Sequence, residues 1–361
     1  MEGAVGQAID PHSLVVGDVM EVNREDSVHS AVYPCQSFMT AAGILQDFNT
    51  LISNAGLENF TSGEPAQFVK LTMSVVQDFR FNHLSNNPTV SYKIYNVPME
   101  ISLHEFCAAI RVPYWGSYAR INGQPRNLVE LYSEITKGRG LAKESGKIRL
   151  ILFPVIRYFA YFITKCVLAR KNGSKLSVYD LAFISAALRR DRTFNLGALI
   201  AHRLSTNREK GGVCGGLIAS RLLAYHQLSP PPFDIELPVF RLDINSMIRH
   251  HFVPTWATLD DLTYYLVFVT KTFPLPKTSE RLVCLPAPVL FNIHGRDNWS
   301  FSEKELDAYM NEHGSQAETH DEEASSSYQY DYASGTFPAL HSGSYEHARD
   351  DAPSWNYHQH P

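Results

Sequence analysis

The stretch FPVIRYFAYFITKCVLARKNGSKLSVYDLAFISAAL, residues 153–188, decides how the chain folds. Its first half is apolar enough to suggest a membrane span. However, Arg157 and Lys165 interrupt it, and a span needs about 20 consecutive apolar residues. At helical spacing the apolar residues share one face, and the opposite stripe carries Arg157, Tyr161, Thr164 and Lys165. The stretch therefore predicts an amphipathic helix of a folded core, and no contact with a membrane.

The limits of this helix are marked by residues that favour helix ends. Pro154 suits the first turn, where its missing N–H costs nothing. Arg170 and Lys171 suit the negative end of the helix dipole, and Asn172-Gly173 is a stop signal. A second helix is predicted to begin after Ser177, whose side chain can cap it while Asp180 reaches back to the cap.

Helical periodicity recurs along most of the remaining chain, whereas strand alternation is rare. Further helices are predicted at 64–79, 102–110 (with the capping box Ser102-x-x-Glu105), 195–207, 215–228 and 259–272 (with Asp260 as cap). The Val, Tyr and Ile residues of 89–97 predict a strand. We therefore expect a mainly α fold, an irregular helical core with one minor short strand element.

Composition divides the chain into three parts. Residues 1–64 are acidic and weakly apolar, which predicts a partly disordered segment, and 65–295 form the predicted helical domain. Residues 296–361 are predicted to hold a short helix and a disordered acidic tail rich in Ser, Tyr and His. The start of the chain lacks the pattern of a signal peptide, and five widely spaced cysteines indicate free thiols. We expect an intracellular protein, cytoplasmic or nuclear.

The charge is unevenly distributed. Residues 137–221 contain 17 Lys and Arg residues against 4 Asp and Glu, so this middle part is strongly basic although the whole chain carries −5. Such a balance predicts either an anion-binding surface or a basic surface that the acidic ends cover. The candidate nucleic-acid contacts are Arg157, Lys165, Arg170, Lys171, Arg189, Arg190, Arg192, Arg208 and Lys210.

Catalytic and metal-binding patterns are weak. No cysteine pair has zinc-site spacing, and the glycines of 211–216 lack the Gly-Lys-Ser/Thr ending of a phosphate loop. The remaining nucleophile candidates are Cys166 and Cys214, with His250 and His251 as partners. Such residues among apolar neighbours are more often packed than reactive. The sequence predicts no catalytic residue, no metal and no cofactor.

The order of motifs resembles the first-open-reading-frame, gag-like protein of Athila-type plant LTR retrotransposons. The resemblance covers roughly residues 65–252. It is carried by a Pro-x-x-Arg-Tyr helix, an acidic-Leu helix start, an Asn-x-Gly-Ala-x-x-Ala-His segment and a Gly-Gly-x-x-x-Gly-Gly turn. The matching positions are Pro154, Arg157, Tyr158, Arg170, Asp180, Leu181, Asn195, Gly197, Ala198, Ala201, His202, Gly211, Gly212, Gly215 and Gly216.

This resemblance implies a non-enzymatic structural protein that self-associates and binds RNA or another single-stranded nucleic acid. No zinc knuckle is present, so capture would depend on basic residues alone. Two other classes stay open. One is a host protein–protein interaction module without nucleic-acid binding, and the more remote one is an enzyme that depends on a cysteine and a histidine.

Overall fold

The fold is described by a computed structural model. It describes residues 28–118, 125–136, 146–151, 153–168, 170, 173–206, 213–266, 271–275, 282–284 and 291–293. About 48% of the described residues are helical and 16% are in strands. The prediction of a mainly helical protein is therefore confirmed in part: helices are the larger share without strong predominance, and strands contribute more than one minor element. The predicted disordered tail, the short helix before it and residues 1–27 lie outside the described residues.

Helices make up about half of the described chain. They are α1 (Gln36–Ala41), α2 (Leu45–Ala55), α3 (Glu58–Thr61), α4 (Val69–Gln77), α5 (Leu103–Ala109), α6 (Pro125–Thr136), α7 (Pro154–Phe162), α8 (Val178–Arg189), α9 (Leu196–Thr206), α10 (Gly216–Tyr225) and α11 (Ile244–Arg249). A 3₁₀ turn (Ile148–Leu150) precedes α7, and a π-helical turn (Ile163–Val167) follows it. The predicted helices α4, α5, α7, α8, α9 and α10 are confirmed, as are the capping boxes of α5 and α8.

The strands form five small sheets within the described residues. They are β1 (Val28–His29), β2 (Val32–Pro34), β3 (Arg80–Asn82), β4 (Thr89–Ile94), β5 (Val97–Ser102), β6 (Val213–Cys214), β7 (Phe240–Leu242), β8 (Leu262–Leu266), β9 (Lys271–Leu275), β10 (Leu282–Cys284) and β11 (Phe291–Ile293). β3, β4 and β5 form an antiparallel meander, and β8–β9 and β10–β11 are antiparallel pairs. β1 pairs in parallel with β6, and β2 with β7, so the start of the described chain joins its later part.

The predicted helix at 259–272 is wrong. Residues 262–266 form β8, which pairs with β9, and Asp260 caps no helix. Burial alternates along β8, with Leu262 and Tyr264 buried and Thr263 and Tyr265 half-exposed. This period of two belongs to a strand, and its β-branched and aromatic residues favour a pleated surface.

The predicted boundary between an N-terminal segment and a helical domain, at residues 64 and 65, does not coincide with a break in the core. Helices α1, α2 and α3 all precede it. Phe38, Phe48 and Leu51 on these helices are buried in the same cluster as α7. Phe48 alone contacts the rings of three aromatic residues of α7. The acidic composition of 1–64 therefore hides two strands and three helices of the fold.

Helix α7 lies in the middle of the core and is buried on all sides. All nine of its residues are buried, so the polar stripe predicted opposite the apolar face is not a solvent face. Phe153, the residue before it, is also buried, and the π-helical turn ends the α-helix at Phe162, earlier than Asn172-Gly173 predicted. Within the described ranges, none of the helices has the length and apolar character that crossing a bilayer needs.

Arg157 on α7 is fully buried, and its guanidinium ties this helix to the later chain. It donates hydrogen bonds to the carbonyl oxygens of His250 at 3.2 Å, His251 at 2.7 Å and Tyr265 at 3.0 Å. The rings of Phe252 and Tyr264 lie 5.5 and 5.3 Å from the guanidinium carbon, which gives cation–π contacts. A planar fork with several N–H donors suits this role, because it can serve several carbonyls at once.

We expect an Arg157→Met substitution to destabilise the protein by about 3 kcal/mol or more, because each carbonyl left buried without a donor costs about 1–3 kcal/mol. The free energy of unfolding in urea measures this effect. The exposed Arg249 is the matched control, and Arg249→Met should change stability by no more than about 0.5 kcal/mol. Equal stability of the two variants would contradict the role assigned to Arg157.

Candidate nucleic-acid interface

The structure divides the predicted cationic contacts into internal and surface residues. Arg157 and Arg170 are internal, with 0% and 6% of the residue exposed. Arg170 donates to Asp180 Oδ2 at 2.6 Å and to the Lys175 carbonyl at 2.8 Å. Since both guanidinium groups are used inside the protein, the prediction that they contact a phosphate chain is not compatible with the structure. Both arginine side chains stabilise the folded core.

The other seven predicted cations are placed as follows. Lys171, Arg208 and Lys210 lie outside the described residues. Lys165 is half-exposed on the π-helical turn, and its side chain interacts with another residue of the protein. Of the predicted cations that the structure describes, Arg189, Arg190 and Arg192 lie together, at the connection between α8 and α9. We call residues 189–193 the arginine turn.

Local hydrogen bonds fix the arginine turn. Arg190 ends α8 in the left-handed conformation with φ +51°, and its Nε donates to Asn54 Oδ1 at 2.8 Å. Asp191 Oδ1 accepts hydrogen bonds from the backbone N–H and the hydroxyl of Thr193, at 2.9 and 2.5 Å. The guanidinium of Arg192 lies 4.8 Å from the ring centroid of Trp115. Arg190 and Arg192 are therefore held in place while they stay exposed to solvent.

An aromatic segment, Tyr114-Trp115-Gly116-Ser117-Tyr118, packs against this turn. The N–H of Ser117 donates to the carbonyl of Thr193 at 2.8 Å. Gly116 has φ +70°, and a Cβ there would lie 2.5 Å from the Thr193 carbonyl. A glycine is required at this point for both reasons, because the backbone is left-handed and the approach is close. It brings Trp115 and Tyr118 to the arginine turn.

Tyr118 belongs to a group of five half-exposed rings, Phe81, His83, Tyr118, Tyr179 and His202, which we call the His–Tyr cluster. The ring of Tyr118 lies 5.1 Å from His202, 5.5 Å from His83 and 5.8 Å from Phe81. Tyr179 lies 5.3 Å from His202, and the Tyr118 hydroxyl donates a hydrogen bond to the Tyr179 hydroxyl. Four segments distant in sequence supply these rings.

Four rings of the His–Tyr cluster, those of Phe81, Tyr118, Tyr179 and His202, are uncharged at neutral pH. Burial, with the nearby His83 and Arg203, lowers the pKa of His202 to about 4. Burial and the hydrogen bond to Tyr179 raise the pKa of the Tyr118 hydroxyl above its usual value. These four rings therefore present neutral π surfaces, and the arginine turn near them is positively charged.

The comparison with known families then identifies the chain. The model of the ATHILA ORF-1 family matches residues 11–192, just over half of its 361 residues. The chain belongs to the ATHILA ORF-1 family. It is a gag-like protein derived from a retrotransposon, of a structural rather than an enzymatic family, which confirms the resemblance. The chain matches no curated protein and no solved structure.

The family match begins and ends earlier than the motifs predicted. It includes residues 11–64 and stops at Arg192, so Asn195, His202 and the glycine turn lie outside it. The matched residues include the Pro-x-x-Arg-Tyr helix and the Arg170–Asp180 ion pair. They also include Arg190 and Arg192 of the arginine turn, and Arg192 is the last matched residue. The aromatic segment 114–118 also lies within the matched residues.

Most motif positions of this ATHILA ORF-1 protein have structural roles. Pro154 is the first residue of α7. The Tyr158 hydroxyl accepts from the Cys35 N–H at 2.9 Å and donates to the Leu242 carbonyl at 3.0 Å, which joins α7 to the parallel β2–β7 pair. Asp180 completes the capping box of α8 and accepts from Arg170, and Leu181 beside it is fully buried.

The same holds for the motif positions after residue 192. Asn195 Oδ1 accepts from the Ala198 N–H at 2.9 Å at the start of α9. A Cβ on Gly197 would lie 2.2 Å from Cys107 Sγ, and one on Gly216 would lie 2.5 Å from Gln67 Oε1. Gly215 has φ +131°. Among these motif residues His202 is the one that lies in the His–Tyr cluster. Gly211 and Gly212 are outside the described residues.

The thiols that sequence analysis left open as nucleophiles are buried. Burial raises the pKa of the Cys166 thiol to about 12, so it is protonated at neutral pH, whereas a nucleophilic cysteine needs a lowered pKa. Cys214 is also buried, and burial lowers the pKa of His250 to about 4. Among the described residues, no group of three or more His, Cys, Asp or Glu side chains is arranged to hold a metal ion.

Sequence analysis missed the aromatic half of the interface. Three aromatic residues around a Gly-Ser pair in 114–118 were a signal of a turn with exposed rings. Charge counting gave this segment no weight, because it is neutral. His83 and Tyr179 join the cluster only through the tertiary fold, and no local pattern marks them.

A Gly116→Ala substitution tests whether the aromatic segment depends on its close contact with Thr193. Gly63 is the matched control, since its φ is +69° but a Cβ there would meet nothing within 4 Å. Both alanines carry the cost of a left-handed backbone, about 1–2 kcal/mol. Gly116→Ala also overpacks the Thr193 backbone, for about 1–3 kcal/mol more. Equal losses of unfolding free energy in urea would show that the close contact does not constrain the segment.

Proposed function

We propose that this ATHILA ORF-1 protein binds single-stranded nucleic acid without reading its sequence, as a non-enzymatic structural protein of its element. The observation that carries the proposal is the arginine turn, where Arg190 and Arg192 are exposed yet positioned by hydrogen bonds and by Trp115. Arginine is suited to phosphate because its planar fork can donate two parallel hydrogen bonds. Membership of a gag-like family supports the same function.

The basic middle of the chain supplies less surface charge than its composition suggests. Among those of its 17 cations that the structure describes, Arg157, Arg170, Arg203 and Arg221 are buried. Arg221, for example, donates to the carbonyl oxygens of Ile110 and Phe60, and burial lowers its pKa to about 10. The binding charge is therefore local, and a few exposed arginines are expected to account for much of the affinity.

An Arg190→Ala/Arg192→Ala double variant is expected to bind single-stranded RNA more weakly than the natural protein. Each phosphate neutralised by a cation adds about 0.7 to the slope of log K against log salt. Loss of two contacts should therefore flatten this slope by about 1.4. Fluorescence anisotropy of a labelled oligonucleotide, titrated with the full chain at several salt concentrations, measures both quantities.

An Arg241→Ala/Arg249→Ala variant is the control, because it removes two exposed arginines from outside the basic middle. It should keep the affinity and the slope of the natural protein. An equal effect of the two double variants would show that only net charge matters. If the natural protein does not bind at low salt, the nucleic-acid function is wrong and the interaction-module alternative takes its place.

We propose self-association as a second function, supported by a separate observation. Phe233, Ile235, Val239 and Phe240 expose 53, 68, 47 and 50% of their residue surfaces within eight positions of the chain. We call residues 233–240 the apolar strip. Large exposed apolar residues grouped in this way are typical of protein–protein contacts. The backbone beneath it is firmly held, because Asp234 accepts from the N–H groups of Lys70 and Leu71 at the start of α4.

Sedimentation velocity at increasing protein concentration tests self-association. We expect the natural protein to form oligomers and an Ile235→Lys/Phe240→Lys variant to remain monomeric, because burial of lysine at an interface is unfavourable. Leu84→Lys is the control, since Leu84 is equally exposed, at 67%, but lies elsewhere in the sequence. A natural protein that is monomeric at all concentrations would refute self-association and leave the nucleic-acid proposal untouched.

A further inference from the structure

The His–Tyr cluster keeps part of its ring surface in solvent, although Phe81, Tyr118 and Tyr179 also pack against the core. Most aromatic residues of the described chain are buried, and Tyr158, Phe159, Phe162 and Phe183 are fully so. The five rings of the cluster, in contrast, all keep a half-exposed position and contact one another at the surface. Leu84, the next residue after His83, is exposed by 67%. The exposed part of these rings is open to a ligand.

The arginine turn lies next to this surface. Thr193 follows Arg192, and its carbonyl accepts from Ser117, the residue before Tyr118. Since consecutive Cα atoms are about 3.8 Å apart, the Cα atoms of Arg192 and Tyr118 lie within about 15 Å of each other. An aromatic surface is thus flanked by exposed guanidinium groups, one of which is already stacked on Trp115.

Single-stranded nucleic acid matches this combination in both of its chemical parts. Its phosphates pair with arginine, and its unpaired bases offer π surfaces that stack on tyrosine and histidine rings. A duplex matches less well, because its bases are already stacked on each other. A purely apolar protein partner would leave the adjacent guanidinium groups without a counter-charge.

We infer that the His–Tyr cluster is a stacking platform for unpaired bases of a single strand whose phosphates contact the arginine turn. The inference rests on the proposed function. It adds that the cluster contacts the bases of the strand, in addition to the phosphates bound by the arginine turn. Tyr118 is the central ring, since it contacts the rings of Phe81, His83 and His202. Its hydroxyl also makes a hydrogen bond with Tyr179. Stacking has no preference among bases, so binding stays independent of sequence.

The experiment compares two labelled strands with the same number of phosphates, oligouridine and an abasic ribose-phosphate chain. The natural protein should bind oligouridine about 10-fold more tightly, because stacking on one ring contributes roughly that factor or more. Tyr118→Leu should remove this preference and leave the salt slope unchanged, because no phosphate contact is lost. Tyr118→Phe keeps the ring and should keep the preference.

The outcomes separate this inference from the proposed function. Equal binding of the two strands by the natural protein would overturn the stacking platform and leave phosphate binding intact. Binding of neither strand would overturn both. A change in the salt slope with Tyr118→Leu would also count against stacking, because it would mean that the substitution had disturbed the arginine turn.

Two further measurements belong to this experiment. Binding to a duplex tests whether Tyr118 has a merely structural role, and binding to single-stranded DNA is compared with binding to RNA. A duplex of the same length should bind equally to the natural protein and to Tyr118→Leu, and a loss there would point to structural damage and refute the inference. Single-stranded DNA should show the same dependence on Tyr118 as RNA, because stacking does not involve the 2′-hydroxyl. If Tyr118→Leu does not fold, His83→Leu removes a neighbouring ring of the cluster and is expected to lower the preference in the same way.

Discussion

The fold depends on the buried guanidinium of Arg157. It donates to three carbonyl oxygens, two at the end of α11 and one on β8, and so fixes the central helix against the later chain. Its neighbour Tyr158 binds Cys35 and Leu242 and so fixes the same helix against the parallel β2–β7 pair. Backbone carbonyls buried beside an apolar helix need donors, and a side chain that supplies several in one plane satisfies them with little loss of apolar packing. These two residues connect segments more than a hundred positions apart.

Because several arginines are buried, the basic composition of the chain does not all become surface charge. Arg170 pairs with Asp180 at the cap of α8, and Arg221 donates to the carbonyls of Ile110, just after α5, and of Phe60 in α3. A basic sequence therefore produced an internal hydrogen-bonding framework as well as a surface. Among the described cations of the basic middle that stay exposed, Arg190 and Arg192 lie beside aromatic rings. The positions that carry the family resemblance mostly belong to the framework, so membership of the family and the location of the interface are separate questions.

Local signals in the sequence were sufficient for the helices that begin with a cap or a proline. Ser102 and Ser177 marked their helices correctly, since a cap is a contact between residues three positions apart. The stretch 259–272 was misassigned because its apolar run fits either period, and only pairing of β8 with β9 decides it. The burial of Arg157 was not predictable, because its acceptors lie about a hundred residues later. The interface was half predictable: charge pointed to Arg190 and Arg192, whereas the His–Tyr cluster exists only where four distant segments meet.

The central claim is that a small surface, and not the basic middle as a whole, contacts nucleic acid. Hydrogen–deuterium exchange of the full chain, with and without a saturating single-stranded oligonucleotide at low salt, tests it directly. The account predicts slower exchange at residues 81–83, 114–118 and 189–193, and unchanged exchange along α7 and in the apolar strip at 233–240. Protection spread evenly over the basic middle, or confined to other surfaces, would contradict it.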